Sequence, residues 1–152
     1  MIDRRKTYRE GLHPLYLKRY DALCSLLDAK WQPCQGRRSF EEQGKLFNQP
    51  QEGGPAVTKA NAGDSAHNYG CATDWTIFDD QGNPTWPDHS DPLWNEYAAA
   101  CKTAGLRWGG AFNDYPHNQL PLSIRYKSIG QIFREKGLEA ALTLLQEHVE
   151  DA

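Results

Sequence analysis

Two of the five histidines in this 152-residue chain stand where side chains could do chemistry. One lies in Ser65-Ala66-His67-Asn68-Tyr69-Gly70-Cys71-Ala72-Thr73-Asp74, the other in Asp114-Tyr115-Pro116-His117. His67, Asp74 and His117 are candidates for the shell of a catalytic zinc ion, because three protein ligands leave the fourth tetrahedral position open, whereas structural zinc sites tend to be closed. A metal so held lowers the pKa of its water to around 7 and polarises a carbonyl, while a nearby carboxylate takes the proton and passes it on. Asp114, three residues before His117 across a proline-stiffened turn, is the candidate base. Arg38 adds a permanently charged planar fork suited to a substrate carboxylate or a developing oxyanion.

These residues need a scaffold that brings distant segments together. Tyr16, Tyr20, Leu23, Cys24 and Leu27 recur at helical spacing after His13-Pro14 and predict a first amphipathic helix. Trp31 to Gln35 reads as a short strand, and Ser39 with Glu42 forms a capping box for a second helix through about Phe47, which puts Arg38 at a strand-to-helix corner. Residues 48 to 66 are rich in Gly, Pro, Asn and Gln and read as a long loop. His67 sits where that loop enters the sheet. Cys71 to Phe78 alternates as a strand with Asp74 on the face of Ala72, Thr76 and Phe78, and Gly70 gives the backbone freedom between the two ligands.

Asp79 to Pro84 is a turn cluster, and Leu93, Tyr97, Cys101 and Ala104 form one helical stripe before Gly105 ends it. Short strands follow at Leu106 to Trp108 and His117 to Leu120. Ile132, Phe133, Leu138, Ala141, Leu142, Leu145 and Val149 predict two short helices or one kinked at Gly137.

The chain is 39% hydrophobic and 24% charged, a globular profile, and a net charge of -3 gives no field for nucleic acid or an anionic membrane. The run Asp3-Arg4-Arg5-Lys6 reads as a solvated face. No stretch approaches the roughly 20 apolar residues of a membrane helix, and the first residues lack the apolar core of a secretory signal. The four cysteines form no CxxC pair and read as buried free thiols. His13, His89 and His148 read as structural, and Asp88, His89 and Asp91 as a solvated loop. The length suits a single domain over residues 1–152 with no separate wall-binding domain.

The ordered set Gly36-x-Arg38-Ser39 with Gln43 and Leu46-Phe47, Ser65-x-His67-x-x-Gly70-x-Ala72-x-Asp74, Gly105-Leu106-x-Trp108-Gly109-Gly110 and Asp114-x-Pro116-His117 resembles the zinc family of D-alanyl-D-alanine carboxypeptidases and L-alanyl-D-glutamate endopeptidases. The Trp-Gly-Gly and Asp-x-Pro-His forms look like its endopeptidase branch, which includes many phage endolysins. The resemblance implies one Zn2+ per chain on His67, Asp74 and His117, with Asp114 as catalytic acid or base. It implies Arg38 as the substrate-orienting, transition-state-stabilising arginine, with Ser65 and Gln43 on the substrate side. The implied fold is α+β, a small central antiparallel sheet with helices packed against it, of the hedgehog/DD-peptidase type.

The implied substrate is the stem peptide of peptidoglycan, cut at the L-alanyl-D-glutamate bond. The alternatives are a D-alanyl-D-alanine carboxypeptidase or dipeptidase, and a non-catalytic wall-binding module, against which Asp114 speaks. The implied setting is a monomeric phage enzyme made in the host cytoplasm that reaches the periplasm and wall after a holin opens the membrane. Ala111 departs from an acidic residue common in relatives and Asn118 from an aromatic one, while the metal and proton-transfer positions are intact.

Overall fold

The computed structural model describes residues 3–52 and 60–151. Its sheet is antiparallel and built from β1 (Trp31–Gln35), β2 (Ala72–Phe78), β3 (Pro84–Thr85), β4 (Arg107–Trp108) and β5 (His117–Gln119). The strand order is β1-β2-β5-β4, with β3 pairing to the far end of β2. Helices α1 (Arg5–Tyr8), α2 (Pro14–Leu26), α3 (Phe40–Asn48), α4 (Leu93–Thr103), α5 (Tyr126–Lys136) and α6 (Leu138–Glu147) pack around it. This is the α+β arrangement expected of the sequence.

The core lies where α2 and α4 meet the sheet. Tyr16, Tyr20, Leu23, Trp31, Trp75, Tyr97 and Cys101 are fully buried there, and the Trp31 ring stacks on Tyr97 with centroids 5.1 Å apart. Large rigid rings on a small sheet exclude much water per residue ordered, which lets a short sheet hold a fold together. No helix among the described residues is long and apolar enough to cross a membrane.

Local chemistry sets the element ends as the sequence predicts. The His13 Nδ1 accepts from the Leu15 N–H at the start of α2, and the Ser39 hydroxyl accepts from the Glu42 N–H at the start of α3. Gly137, at φ +94°, separates α5 from α6. Cys71 and Cys101 are buried free thiols, and Cys24 and Cys34 are half-buried ones.

Three expectations need correction. The N-terminal basic run is not a solvated face. Arg5 donates to the carbonyls of Cys24, Leu27, Asp28 and Trp31 at 2.6 to 3.1 Å, closing the corner between α2 and β1, and Arg4 lies over the Phe78 ring. The Cys24 and Leu27 carbonyls lie at the end of α2, where intrahelical partners run out, and one guanidinium fork satisfies several acceptors at once. Leu138 is 43% exposed, because it opens α6 ahead of the helix face that α5 covers. The 48–66 segment holds 3-10 turns at Gln49–Glu52 and Ala66–Tyr69, and residues 53–59 of the expected loop lie outside the described residues.

Candidate metal centre

The three predicted ligands converge from a turn and two strands. His67 sits in the 3-10 turn Ala66–Tyr69 rather than at the mouth of a strand, and Gly70 at φ +69° then reverses the chain into β2. A Cβ on Gly70 would collide with the backbone of Gly11, Leu12 and His13, so only glycine lets the turn dock so closely there. The turn is capped from both sides. The Ser65 hydroxyl accepts from the His67 N–H at 3.2 Å, and the Asn68 side-chain Oδ1 accepts from the Ser65 N–H.

Asp74 and His117 are directly opposed in the β2–β5 ladder. Opposed residues share a face with their Cβ atoms about 5 Å apart, so the pairing itself aims the carboxylate and imidazole at one space. Asp74 Oδ1 lies 3.3 Å from His67 Nε2 and 3.1 Å from His117 Nδ1. One ligand atom from each of the three lies within 4.8 Å of the others.

The far nitrogens decide what this cluster suits. His67 Nδ1 lies 2.8 Å from the Gly36 carbonyl oxygen, and His117 Nε2 lies 2.8 Å from Gln119 Oε1. Carbonyl oxygens only accept, so each imidazole places its proton on the far side and turns a lone pair toward Asp74. Two lone pairs and a carboxylate facing one another repel unless a cation lies among them. The donor set, its spacing and its outer hydrogen bonds all fit a divalent metal of the zinc class. Without a metal, a proton serves instead. Burial pushes His117 down, but the Asp74 hydrogen bond and charge outweigh it and raise it. Burial likewise pushes Asp74 up, yet the two imidazoles hold its carboxyl well below the usual range.

Asp114 lies at the rim, with Oδ2 3.8 Å from His117 Nδ1 and its side chain 52% exposed. The turn that carries it bonds back to β5, the His117 N–H donating to the Asp114 carbonyl at 3.1 Å. Gly109 makes that approach possible, since a Cβ there would strike the Asp114 carbonyl and the His117 side chain. Desolvation against the cleft wall lifts the Asp114 carboxyl above its ordinary value, with His117 drawing it down and Asp74 pushing it up. A carboxylate beside the ligands, reachable by water and with raised basicity, suits proton transfer.

Arg38 lines the same cleft of about 1230 Å³. Its Nη1 donates to Gln43 Oε1 at 2.8 Å, its N–H donates to the His67 carbonyl, and its Nε is buried without a protein acceptor. Gln43 is fully buried in α3 and does not line the cleft, so it acts on the site through Arg38. Ser65 lines the cleft while capping the His67 turn.

The sequence reading brought no role to Gln119 or Arg107, both of which line the cleft. The signal for Gln119 was alternation: two residues beyond His117 on a strand, it must share the ligand's face. The histidines read as structural do structural work. His89 stacks on Tyr115 with centroids 4.0 Å apart, and the His148 ring bonds Ser123. No cysteine joins the cluster, and burial pushes the Cys34 thiol up to about 12, with Asp74 adding to the rise.

The chain is similar to known proteins. Residues 58–120 match the family described as D-alanyl-D-alanine carboxypeptidase. The peptidoglycan L-alanyl-D-glutamate endopeptidase CwlK of Bacillus subtilis (strain 168) is 35% identical over 122 residues, 72% of this chain and 73% of that protein. The crystal structure of the L-Ala D-Glu endopeptidase ChiX of Serratia marcescens superposes with a TM-score of 0.58 over 89% of this chain and 91% of that one, at 20% identity, a likeness of fold. By that relationship and by the ligand set at the end of β2 and β5, the chain belongs to the D-alanyl-D-alanine carboxypeptidase family and is a metallopeptidase.

Proposed function

We propose that the protein is a zinc-dependent endopeptidase that cuts the L-alanyl-D-glutamate bond of peptidoglycan stem peptides. The observation that carries the reading is the pair of imidazoles whose far nitrogens are pinned to carbonyl oxygens while the near ones face Asp74. The CwlK relative supports the choice of bond.

A zinc ion held there supplies Lewis acidity toward the scissile carbonyl and a water made acidic near neutral pH. The rest belongs to the chain's own residues. His67, Asp74 and His117 fix the position of attack, and the outer bonds to Gly36 and Gln119 keep the rings from rotating. Asp114 accepts the proton of the attacking water at its carboxylate and returns it to the leaving amine. Arg38, braced by Gln43, offers its guanidinium to the carbonyl oxygen as negative charge develops. Ser65 holds the His67 turn in place.

Digestion of purified peptidoglycan, with and without chelator, tests this. Chelator-sensitive release of peptides that begin at D-glutamate, with L-alanine left on the glycan, is expected. Loss of a single D-alanine instead would assign the carboxypeptidase chemistry after which the family is described. The proposed setting is host lysis by a phage enzyme whose access to the wall depends on a holin. Its support is the endopeptidase-branch form of the Trp-Gly-Gly and Asp-x-Pro-His motifs, and expression in a bacterial host with and without a holin tests it.

A further inference from the structure

The cleft carries more positive charge than the proposed chemistry uses. Beyond Arg38 it is lined by Arg107, Arg125 and Lys127. Of its acids, Asp64 is paired with Arg134 at 2.8 Å, and Asp74 lies between the two imidazoles. Asp114 faces His117. Among the described residues neither Arg125 nor Lys127 makes an ion pair, and both are exposed. Arg107 reaches Glu150 only at 3.9 Å with both side chains nearly half exposed, a contact worth little. With a divalent cation in place the cleft is cationic and suits an anionic substrate.

Sheet register places this charge. Arg107 opposes Gln119 across the β4–β5 ladder, and Gln119 in turn opposes Ala72. Paired residues share a face, as do residues two apart on a strand, so Arg107, Gln119, His117 and Asp74 all look into the cleft. Arg38 follows β1 and Arg107 lies on β4, the outer strands of the order, so the two arginines line the cleft from opposite edges of the sheet.

We propose that Arg107 and Arg125 form a carboxylate-binding subsite for the glutamate residue on the leaving-amine side of the scissile bond. The proposal rests on the L-alanyl-D-glutamate reading above. A glutamate residue has two carboxyl groups and the peptide continues through only one, so the other remains free and negative at the moment of cleavage. A guanidinium fork binds such a group with two parallel charge-assisted hydrogen bonds, which fixes its orientation as well as its charge. This division leaves Arg38 for the carbonyl side of the same bond.

The test uses two synthetic stem peptides that differ only at the free glutamate carboxylate, one as the acid and one as the primary amide. The metal-loaded wild type should favour the acid by about 10- to 100-fold in kcat/KM, the range of a charge-assisted hydrogen bond. In the Arg107→Gln/Arg125→Gln double variant that preference should collapse toward unity, with the loss of the acid substrate appearing in KM, and with metal content and melting temperature unchanged. A double variant that keeps the full preference overturns the subsite and leaves the endopeptidase reading standing. Equal cleavage of both peptides by the wild type does the same without any variant. If the wild type cuts neither and instead removes terminal D-alanine, both readings fall together.

Discussion

The two faces of β2 and β5 carry neighbouring polar clusters of opposite character. On the core face, Thr73 opposes Asn118, and with Tyr16 and Tyr97 they form a closed network. Tyr16 Oη donates to Asn118 Oδ1 at 2.6 Å, Asn118 Nδ2 donates to Tyr97 Oη at 2.8 Å, and Thr73 Oγ1 accepts from Trp75 Nε1 at 2.8 Å. Tyr97 Oη donates onward to the Pro116 carbonyl. On the cleft face, one residue along each strand, Asp74 opposes His117 and turns acceptors toward acceptors. The first cluster is complete within the protein, and the second is complete only with a cation. Buried polar groups that satisfy one another serve the fold, whereas three protein donors around an ion leave a coordination position open and suit a reaction.

The sharpest way to break the comparison is to remove the need for a cation. Asp74→Asn should lower turnover by on the order of a thousandfold or more and abolish stoichiometric metal binding, measured by kcat/KM and by metal analysis of the purified protein. Asp114→Asn should keep the metal yet lower kcat by about 10² to 10⁴. Because Asp114 is lifted above its ordinary value and is proposed to work as the carboxylate, activity should fall as pH drops through an acid limb that lies above the usual carboxylate range. The pH profile of kcat/KM should lose that limb in the variant.

Gln119→Leu sharpens the comparison more gently. It frees the far nitrogen of His117 and should weaken metal affinity about 10- to 100-fold in a chelator competition, with the fold intact. Tyr16→Phe acts on the core face alone. Leaving Thr73 and Asn118 short of a partner should cost about 1 to 3 kcal/mol in denaturant unfolding, while kcat/KM stays within a few fold. Equal effects of Tyr16→Phe and Asp74→Asn on metal binding would erase the distinction between the faces.

Most of what positions the site could be read from local pattern. Trp31–Gln35, Ala72–Phe78 and Leu93–Thr103 carry their own periodicity, and the Ser39 cap and the Gly137 break have signatures within one turn. His67, Asp74 and His117 were each weak signals alone and were singled out by the ordered motifs around them, and the structure brings the three side chains together. What escaped has no local signature. Strand β3 and helix α1 are too short to show a period. Arg5 finds its acceptors in segments far along the chain. Gln43, which the resemblance implies on the substrate side, is buried and bonded to Arg38, a placement that only the packing of α3 shows. Arg107 and Gln119 gained meaning only when register put them on one face.

The clasp that Arg5 makes on the corner before β1 reaches further than stability. β1 runs directly into Gly36 and Arg38, the first bonded through its carbonyl to the His67 ring and the second lining the cleft. Replacing Arg5 would therefore loosen the corner that sets the course of β1, and with it the alignment of the cleft. For anyone re-engineering this enzyme, Arg5 belongs with the framework that holds the cleft in shape.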